Sequence, residues 1–535
     1  MVFNSPTFRA FLKKLEVPQD NTITTESRWI NQDLAPIPPE RRTWKWWNFC
    51  AFWISDCLNV NTFMIGGTYI AVGCNWWQAL IIVAVGYSLA AIVLVVNGRA
   101  GATYHIGYPV MTRSSFGIAG AYVPIFNRIL LGTVWYSVQS WIGGQCVYQM
   151  LKAMAPSVEN IPNSFSGSEV TVKSFLGFFL FSLLSCFAIW YPTDRIRHLF
   201  TIKSIVTPIA AVALFIWAVV NCKGLGPIVD QPSSFTSSEQ AGWAIVSAIT
   251  GCLGNMAAVI VNTNDFTRFS TKHSDIVWSQ LITMPLGFFL TSFIGIVVTG
   301  ASVHLYGEAL WNPIDILDRM ENRAAVFFLA FAFAFATLGT NLCANSIPVG
   351  ADMSAVWPRY INQRRGGYLC AAIAMCLNPW NLLSGAQNFL NFLTAYTIFL
   401  SPITAILITD FYIVKKRKLL VNQLYDPKGV YWYKFGLNWR AYASYILAIV
   451  PNLPGFIGIV GGTAPPGADK VFKLAYFVGF AIGGFFYVTL NYLFPCHWII
   501  AEQEKEILVV PSSGKDEEKV ETLSVYSQPE PSNTA

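Results

Sequence analysis

Charge is what this chain has least of. Only 12% of its 535 residues are Asp, Glu, Lys or Arg, against about a quarter in a soluble domain. The charges gather at the two ends and in short connecting stretches, which excludes the string of about three or four soluble domains that the length would allow. No HExxH, GxSxG or P-loop pattern occurs, and the five histidines (His105, His198, His273, His304, His497) are scattered. The common metalloprotease, serine-hydrolase and NTPase chemistries are therefore absent. The eleven cysteines, among them Cys50, Cys57, Cys74 and Cys146, mostly fall singly inside apolar runs without CxxC spacing. They read as small packing residues, so neither a disulfide framework nor a metal site is expected, and no cofactor is called for. The first residues, MVFNSPTFRAFLKKLEVPQDN, lack the apolar core of a cleaved signal peptide. Rings of like charge and a filter-like motif are missing too, which speaks against a channel.

What remains is 54% hydrophobic and 15% aromatic, with a mean hydropathy of +0.46. That is the composition of a polytopic membrane protein, and its partner is a lipid bilayer. A span needs about 20 mainly apolar residues. Twelve segments qualify: 47–73, 77–97, 124–153, 171–191, 201–221, 241–263, 278–300, 325–349, 367–383, 387–413, 438–461 and 471–495. Basic clusters set the orientation. Arg28, Arg41, Arg42 and Lys45 precede the first segment, and Arg195 and Arg197 follow the fourth. Arg268 and Lys272 follow the sixth, Arg359, Arg364 and Arg365 the eighth, and Lys415, Lys416, Arg417 and Lys418 the tenth. All lie on the side of both termini, which the positive-inside bias makes the cytoplasm. The net charge of +6 is thus a membrane-topology signature, and no nucleic-acid partner is implied. Residues 1–46 form a cytoplasmic segment, 47–495 the membrane domain (core 47–413, extra helices 438–495), and 496–535 a polar tail expected to be disordered. The polar tails offer lysines and serines for ubiquitin-type or other regulatory modification.

Polar residues inside the apolar runs point to function. WISDCLNVNTFMIGG (53–67) in the first segment and SAITGCLGNMAAVIVNTND (247–265) in the sixth both look interrupted, five segments apart. That is the spacing of an inverted repeat with broken helices at its centre. Asp56 falls about 13 Å into the bilayer at 1.5 Å per residue. Such a carboxylate marks an ion or proton route, or is held by amides such as Asn59 for structure alone. In WYSVQSWIGGQ (135–145), Trp135 and Gln139 share one helical face, an aromatic plane beside an amide. Gly143 and Gly144 beyond them are expected to allow close packing against the broken helices, and Gln145 lies too far along to share a small ligand.

Five stretches carry a family resemblance: DLAPIPPERRTWKWWNFCAFWISDCLNVNTFMIGG, YHIGYPVMTRSSFGIAGAYVPIFNR, NTNDFTRFS, ATLGTNLCANSIPVGAD and NPWNLL. In order and spacing they resemble the nucleobase–cation symporter-1 family, fungal Fur branch, from about residue 28 to 495. The resemblance implies an all-α, leucine-transporter-like fold with a five-plus-five inverted repeat and two extra helices. It implies a secondary active symporter, not an enzyme, importing a planar heterocycle such as uracil, allantoin, uric acid or a related nucleoside. Carried onto this chain, the substrate positions are Trp135, Gln139, Asn255, Met256, Asn341 and Asn345. An aromatic face suits a heterocyclic ring, and amides offer a donor and an acceptor to its N–H and C=O groups. Met256 stands where uracil- and allantoin-type relatives carry lysine, which puts uracil in question. In the tenth segment, Phe389, Phe392, Thr394 and Tyr396 match the gate and selectivity helix. Coupling falls on Ser55, Asp56, Asn59, Ala336 and Thr340. Gly339 stands where sodium-coupled bacterial relatives carry a second hydroxyl, so a proton rather than sodium is expected. His105 reads as a structural loop residue, and Asp265 and Arg268 as a local pair or cap. A vitamin permease of the same family, for thiamine or a pyridine nucleoside, and a non-transporting nutrient receptor are the alternatives.

Overall fold

A computed structural model of the chain describes residues 13–17, 29–165, 170–191 and 197–509, with the side chains of 197–201 and 504–509 left aside. Arg28, Arg195, the Arg197 side chain and the tail beyond residue 509 lie outside the described residues. The described chain is helical throughout, with only two isolated β-bridges. Nine of its helices are long and apolar enough to cross a bilayer.

The other three expected segments fall short for separate reasons. The first is split into α1 (Trp46–Cys57) and α2 (Val60–Ala71). After α3 (Trp76–Tyr104) and α4 (Tyr108–Phe116) comes α5 (Tyr122–Met154), which is long but diluted by polar side chains. Next in the chain are α6 (Val172–Trp190), α7 (Arg197–Asn221), α8 (Ser238–Val261) and α9 (Val277–Tyr306). The short α10 (Pro313–Asp318) precedes α11 (Arg323–Thr340), which passes through a π-helical turn, Asn341–Ser346, into α12 (Ile347–Val356). The ninth segment is only α13 (Gln363–Met375) plus a further turn. The tenth bends at Tyr396 between α14 (Ala386–Ala395) and α15 (Thr397–Thr409). The chain closes with α16 (Trp439–Ile449), α17 (Leu453–Ile459), α18 (Ala475–Leu493) and α19 (His497–Val509). The tail is therefore helical over 497–509, not disordered from 496 on. Trp498 helps hold it through an indole N–H donated to the Val430 carbonyl at 3.1 Å.

The contacts carry the symmetry that the sequence spacing suggested. α2 packs on α9 as α8 packs on α3, and α5 packs on α6 as α12 packs on α13. Exchanging the first five membrane segments with the second five maps each contact onto its partner, as an inverted repeat requires. Two groups result: α1, α2, α3, α8 and α9 in one, and α5, α6, α11, α12 and α13 in the other. α7 touches both, packing on α9 and on α11.

One asparagine builds the break in the first segment. Asn59 is extended, and its Oδ1 accepts from the Thr62 N–H (2.9 Å), capping the N-terminus of α2. Its Nδ2 donates to the Asp56 carbonyl at 2.5 Å, at the end of α1. A single side chain thus serves orphan groups of both half-helices. Asn59→Ala should cost about 1–2 kcal/mol of stability. Thermal unfolding of the purified protein checks this, with Asn59→Asp, which keeps the cap acceptor, falling between.

The sixth segment departs from expectation: α8 is unbroken. Its glycines serve packing instead, since a Cβ at Gly254 would overlap the Leu393 carbonyl and one at Gly251 the Leu390 side chain, both on α14. Gly143 and Gly144 also behave differently from the sequence reading. They meet Phe181 and Phe178 of α6, not the broken helix.

At the end of the molecule where α3 meets the chain leading into α1, the N-terminal segment is stitched to the loops. Trp44 and Thr271 exchange strand-like bonds through Trp44 N to Phe269 O (2.9 Å) and Thr271 N to Trp44 O (2.8 Å). Asp265 and Arg268 pair locally, Arg268 Nε donating to the Asp265 carbonyl at 3.3 Å, and they also reach far along the chain. Asp265 Oδ1 accepts from Tyr108 N (2.8 Å) at the start of α4, and Arg268 donates to the Asp33 carbonyl (2.9 Å). His105 ends α3 in the left-handed region (φ 54°), its Nδ1 2.9 Å from the Arg268 carbonyl. Burial lowers its pKa below the ordinary histidine value, outweighing that hydrogen bond, and Arg42 adds to the lowering. The neutral ring is the form the fold prefers, so its contribution is complete above an unfolded value of about 6.5 and is lost as pH falls below it. His105→Asn, which tolerates the backbone, should flatten the pH dependence of the melting temperature between about pH 8 and 5.

Candidate functional site

α5 supplies the centre of the site. Trp135 and Gln139 share one of its faces, and both are buried. Gln139 Oε1 has no hydrogen-bond partner among the described residues. An unpaired buried acceptor costs about 1–3 kcal/mol, and this one lies one helical turn from the Trp135 ring.

Adjacent positions of α5 fasten the two asparagines of the eighth segment. Asn341 Nδ2 donates to the Tyr136 carbonyl (3.2 Å) and to Ser140 Oγ (3.1 Å), and Asn341 Oδ1 accepts from Asn345 Nδ2 at 3.0 Å. Asn341 is thereby spent on positioning, and Asn345 keeps its Oδ1 for other partners. Both asparagines sit in the π-helical turn, an element that recurs at functional sites because it re-aims side chains. The sequence reading named the asparagines but not this turn.

α14 closes over the tryptophan. Phe392 lies 5.4 Å from the Trp135 ring and Tyr396 6.3 Å from it in an edge geometry. Tyr396 also donates its hydroxyl to the Gly254 carbonyl at 2.6 Å, tying the bend of the tenth segment to α8. Phe389 turns elsewhere and stacks on Trp311 (5.5 Å, 22° between planes), in the connection before α10. Thr394 bonds back to the Leu390 carbonyl of its own helix (3.0 Å). Of the four gate candidates, Phe392 and Tyr396 reach Trp135, whereas Phe389 and Thr394 hold the helix in place.

Asn255 and Met256 are buried in α8. Asn255 serves as a link between repeats: Asn61 Nδ2 donates to its Oδ1 (2.9 Å), and its Nδ2 donates to the Tyr87 hydroxyl (3.2 Å). That leaves Met256 as the α8 side chain without hydrogen-bonding demands, a soft apolar surface.

A small cavity of about 20 Å3 lies at the break, between Leu58, Asn59, Phe63, Thr207, Thr291 and Pro313. It has room for about one water and is too small for a heterocycle. The aromatic–amide face is the candidate site.

The coupling candidates converge on a residue that sequence reasoning overlooked. Lys203 of α7, 1% exposed, donates its Nζ–H groups to the Ser55 carbonyl and to Thr340 Oγ1 (2.7 Å). Asp56 lies near enough to act on its charge. Ser55 and Thr340 were the expected contributors to a cation position, and an ammonium of the chain itself fills it. Ala336, one turn before Thr340, is buried in α11 and makes no side-chain polar contribution. A lysine only two residues inside an apolar segment was the available signal.

With this geometry in hand, the likenesses to known proteins take on meaning. Residues 36–479 match the family described as "Permease for cytosine/purines, uracil, thiamine, allantoin". An uncharacterized permease of Schizosaccharomyces pombe is 44% identical over 89% of this chain and 82% of its own length. The allantoin permease of Saccharomyces cerevisiae is 42% identical over 89% and 77%, and the uracil permease of that yeast 38% over 92% and 81%. Among solved structures, Mhp1, a nucleobase-cation-symport-1 family transporter in a closed conformation with bromovinylhydantoin bound, superposes with a TM-score of 0.70. It is 22% identical, over 88% of this chain and 97% of its own, and so speaks for the fold. The broken first segment, the paired contacts of the two repeats and the aromatic–amide face all lie within the matched residues. The chain belongs to the nucleobase–cation symporter-1 family, with the fungal uracil and allantoin permeases among its relatives, and is a membrane transporter, not an enzyme.

Proposed function

We propose that the protein is a proton-coupled importer of a small planar heterocycle, working by alternating access in the plasma membrane. The observation that carries this reading is Trp135 beside the unpartnered Gln139 Oε1, facing amides that other residues hold in position. A ring lying against Trp135 gains apolar contact. An N–H beside a C=O on that ring meets the acceptor of Gln139 and the amides of Gln139 and Asn345. Met256 adds contact without charge; the candidates are uric acid, a uridine-like nucleoside and, despite the lysine missing here, allantoin and uracil. Phe392 and Tyr396, already against Trp135, form the lid.

The topology that accompanies this reading has twelve spans with both termini in the cytoplasm. Residues 47–413 form the working core, 438–495 two accessory spans, and the polar tails are sites for ubiquitin-type control. Proton coupling is favoured over sodium because Lys203 already places a positive charge where Ser55 and Thr340 would hold a cation.

The test is uptake of radiolabelled uracil by a nucleobase-transport-null yeast expressing the chain, with unlabelled allantoin, uridine, uric acid and thiamine as competitors. Saturable, protonophore-sensitive uptake is the expected result, and the order of competition names the substrate. If uracil is not accumulated, the labelled competitors are tried in turn. Uptake of thiamine alone would establish the vitamin reading, and binding of any of these compounds without accumulation a receptor.

A further inference from the structure

α7 packs on both helix groups, and Lys203 bonds to both. Its two acceptors differ in kind. The Ser55 carbonyl belongs to the last turn of α1, where the break leaves carbonyls without intrahelical partners and the helix dipole is negative. Thr340 Oγ1 belongs to α11, at the entrance to the π-helical turn that carries Asn341 and Asn345. The ammonium is therefore a clamp between the broken helix of one group and the substrate-bearing helix of the other. The ionisable groups facing it are Asp56 and Cys57 on α1 and Cys343 on the π-helical turn.

Resting on the proton-symport reading above, we infer that Lys203 is the proton-carrying group of the transport cycle, a tethered replacement for a free coupling cation. In the charged form, –NH3+ bridges the Ser55 carbonyl and the Thr340 hydroxyl and holds α1 against α11. When the cytoplasmic side opens, one N–H bond breaks and the proton passes to water. The amine that remains keeps two N–H groups and a lone pair but loses the charge that favoured the α1 carbonyls, and the clamp loosens. After return to the outward side, the lone pair takes a proton from hydronium and the clamp re-forms. Lysine suits this role where arginine does not, because a buried lysine gives up its proton and a guanidinium does not. Asp56, at the same helix end, is the carboxyl near enough to act on the lysine's charge. It is the neighbour, not the carrier.

The experiment compares the intact protein with Lys203→Met and Lys203→Arg in the null yeast, measuring surface level, accumulation at external pH 4.5 to 7.5, and exchange of preloaded substrate. The substrate used is whichever heterocycle the wild type accumulates. One pH unit of gradient is worth about tenfold in concentration for one proton per substrate. Wild type should accumulate more as external pH falls. Lys203→Met should exchange substrate but equilibrate without concentrating it, with a flat pH profile. Lys203→Arg, a fixed charge, should bind at the surface yet accumulate nothing at any pH. Wild-type pH-driven accumulation in either variant overturns the inference. If Lys203→Met fails to reach the surface, the Lys203→Arg arm decides alone. If the wild type itself accumulates none of the heterocycles, or does so independently of pH, the transport reading fails before the lysine is at issue.

Discussion

Gln139→Ala is expected to abolish transport while leaving the protein as stable as before or slightly more so. The two effects have one cause. Gln139 Oε1 is buried and has no hydrogen-bond partner among the described residues, so the fold carries its desolvation cost without return. Truncation removes an orphaned acceptor, and a melting temperature that does not fall is the expected reading. Transport loses the hydrogen bond that fixes the ring. A buried bond left unmade costs about 1–3 kcal/mol, roughly 5- to 150-fold in affinity. Trp135→Ala removes the ring's apolar platform, whereas Trp135→Phe should retain part of the uptake because the π-face remains. The measurements are initial uptake rate at equal surface level and thermal unfolding in detergent. A Gln139→Ala protein that melts markedly lower would show that the side chain serves the fold, and the site would have to be sought elsewhere.

Arg128→Ala should produce the opposite pattern, a large loss of stability with no direct bearing on the substrate. Arg128 of α5 pairs with Asp352 of α12 at 3.0 Å, with 1% and 0% of the side chains exposed. With its amide turned to satisfy both groups, Asn262 at the end of α8 accepts from the same guanidinium at 2.6 Å. Three helices from both groups thus meet on one buried charge. Removing one partner strands the other in low dielectric, at about 3–5 kcal/mol. Arg128→Ala and Asp352→Ala should each lower the melting temperature sharply and keep the protein from the surface. The double variant Arg128→Met with Asp352→Leu should recover much of the loss, because an apolar pair has no charge to strand. Stability of the double variant no better than that of the singles would show that the pair serves something beyond its own neutralisation.

Much of this molecule follows from local composition. The spans are legible because a bilayer accepts little else than about 20 apolar residues in helical form. The break near Asn59 is legible because an acid and two asparagines have no reason to sit in an unbroken apolar helix. The Trp135–Gln139 face is legible because one turn of helix places them together whatever surrounds them. The family resemblance added Asn341 and Asn345 as substrate positions and the tenth-segment aromatics as a gate, without the partners each of them bonds.

The roles were decided by partners far away in sequence. Gly251 and Gly254 gave a break by their local pattern, yet α8 runs through them, because what they accommodate is α14 more than 130 residues on, the Leu390 side chain at Gly251 and the Leu393 carbonyl at Gly254. Asn341 and Asn345 look alike in a motif. Only the approach of Tyr136 and Ser140 makes one a support and leaves the other an acceptor to offer. Asp265 and Arg268 read as a local pair, which Arg268 Nε makes with the Asp265 carbonyl, but their bonds to Tyr108 and Asp33 leave no trace in the local pattern. Lys203 is the sharpest case. As sequence it is one more cation at the edge of an apolar segment. As structure it is a buried charge placed between a severed helix end and a threonine 137 residues away. Periodicity and hydropathy are properties of neighbours along the chain, and they fix which segments cross the membrane and which face of each is polar. Which polar groups satisfy one another, and which are left over for a substrate or a proton, depends on how helices of the two repeats meet in space, and the tertiary structure alone decides that.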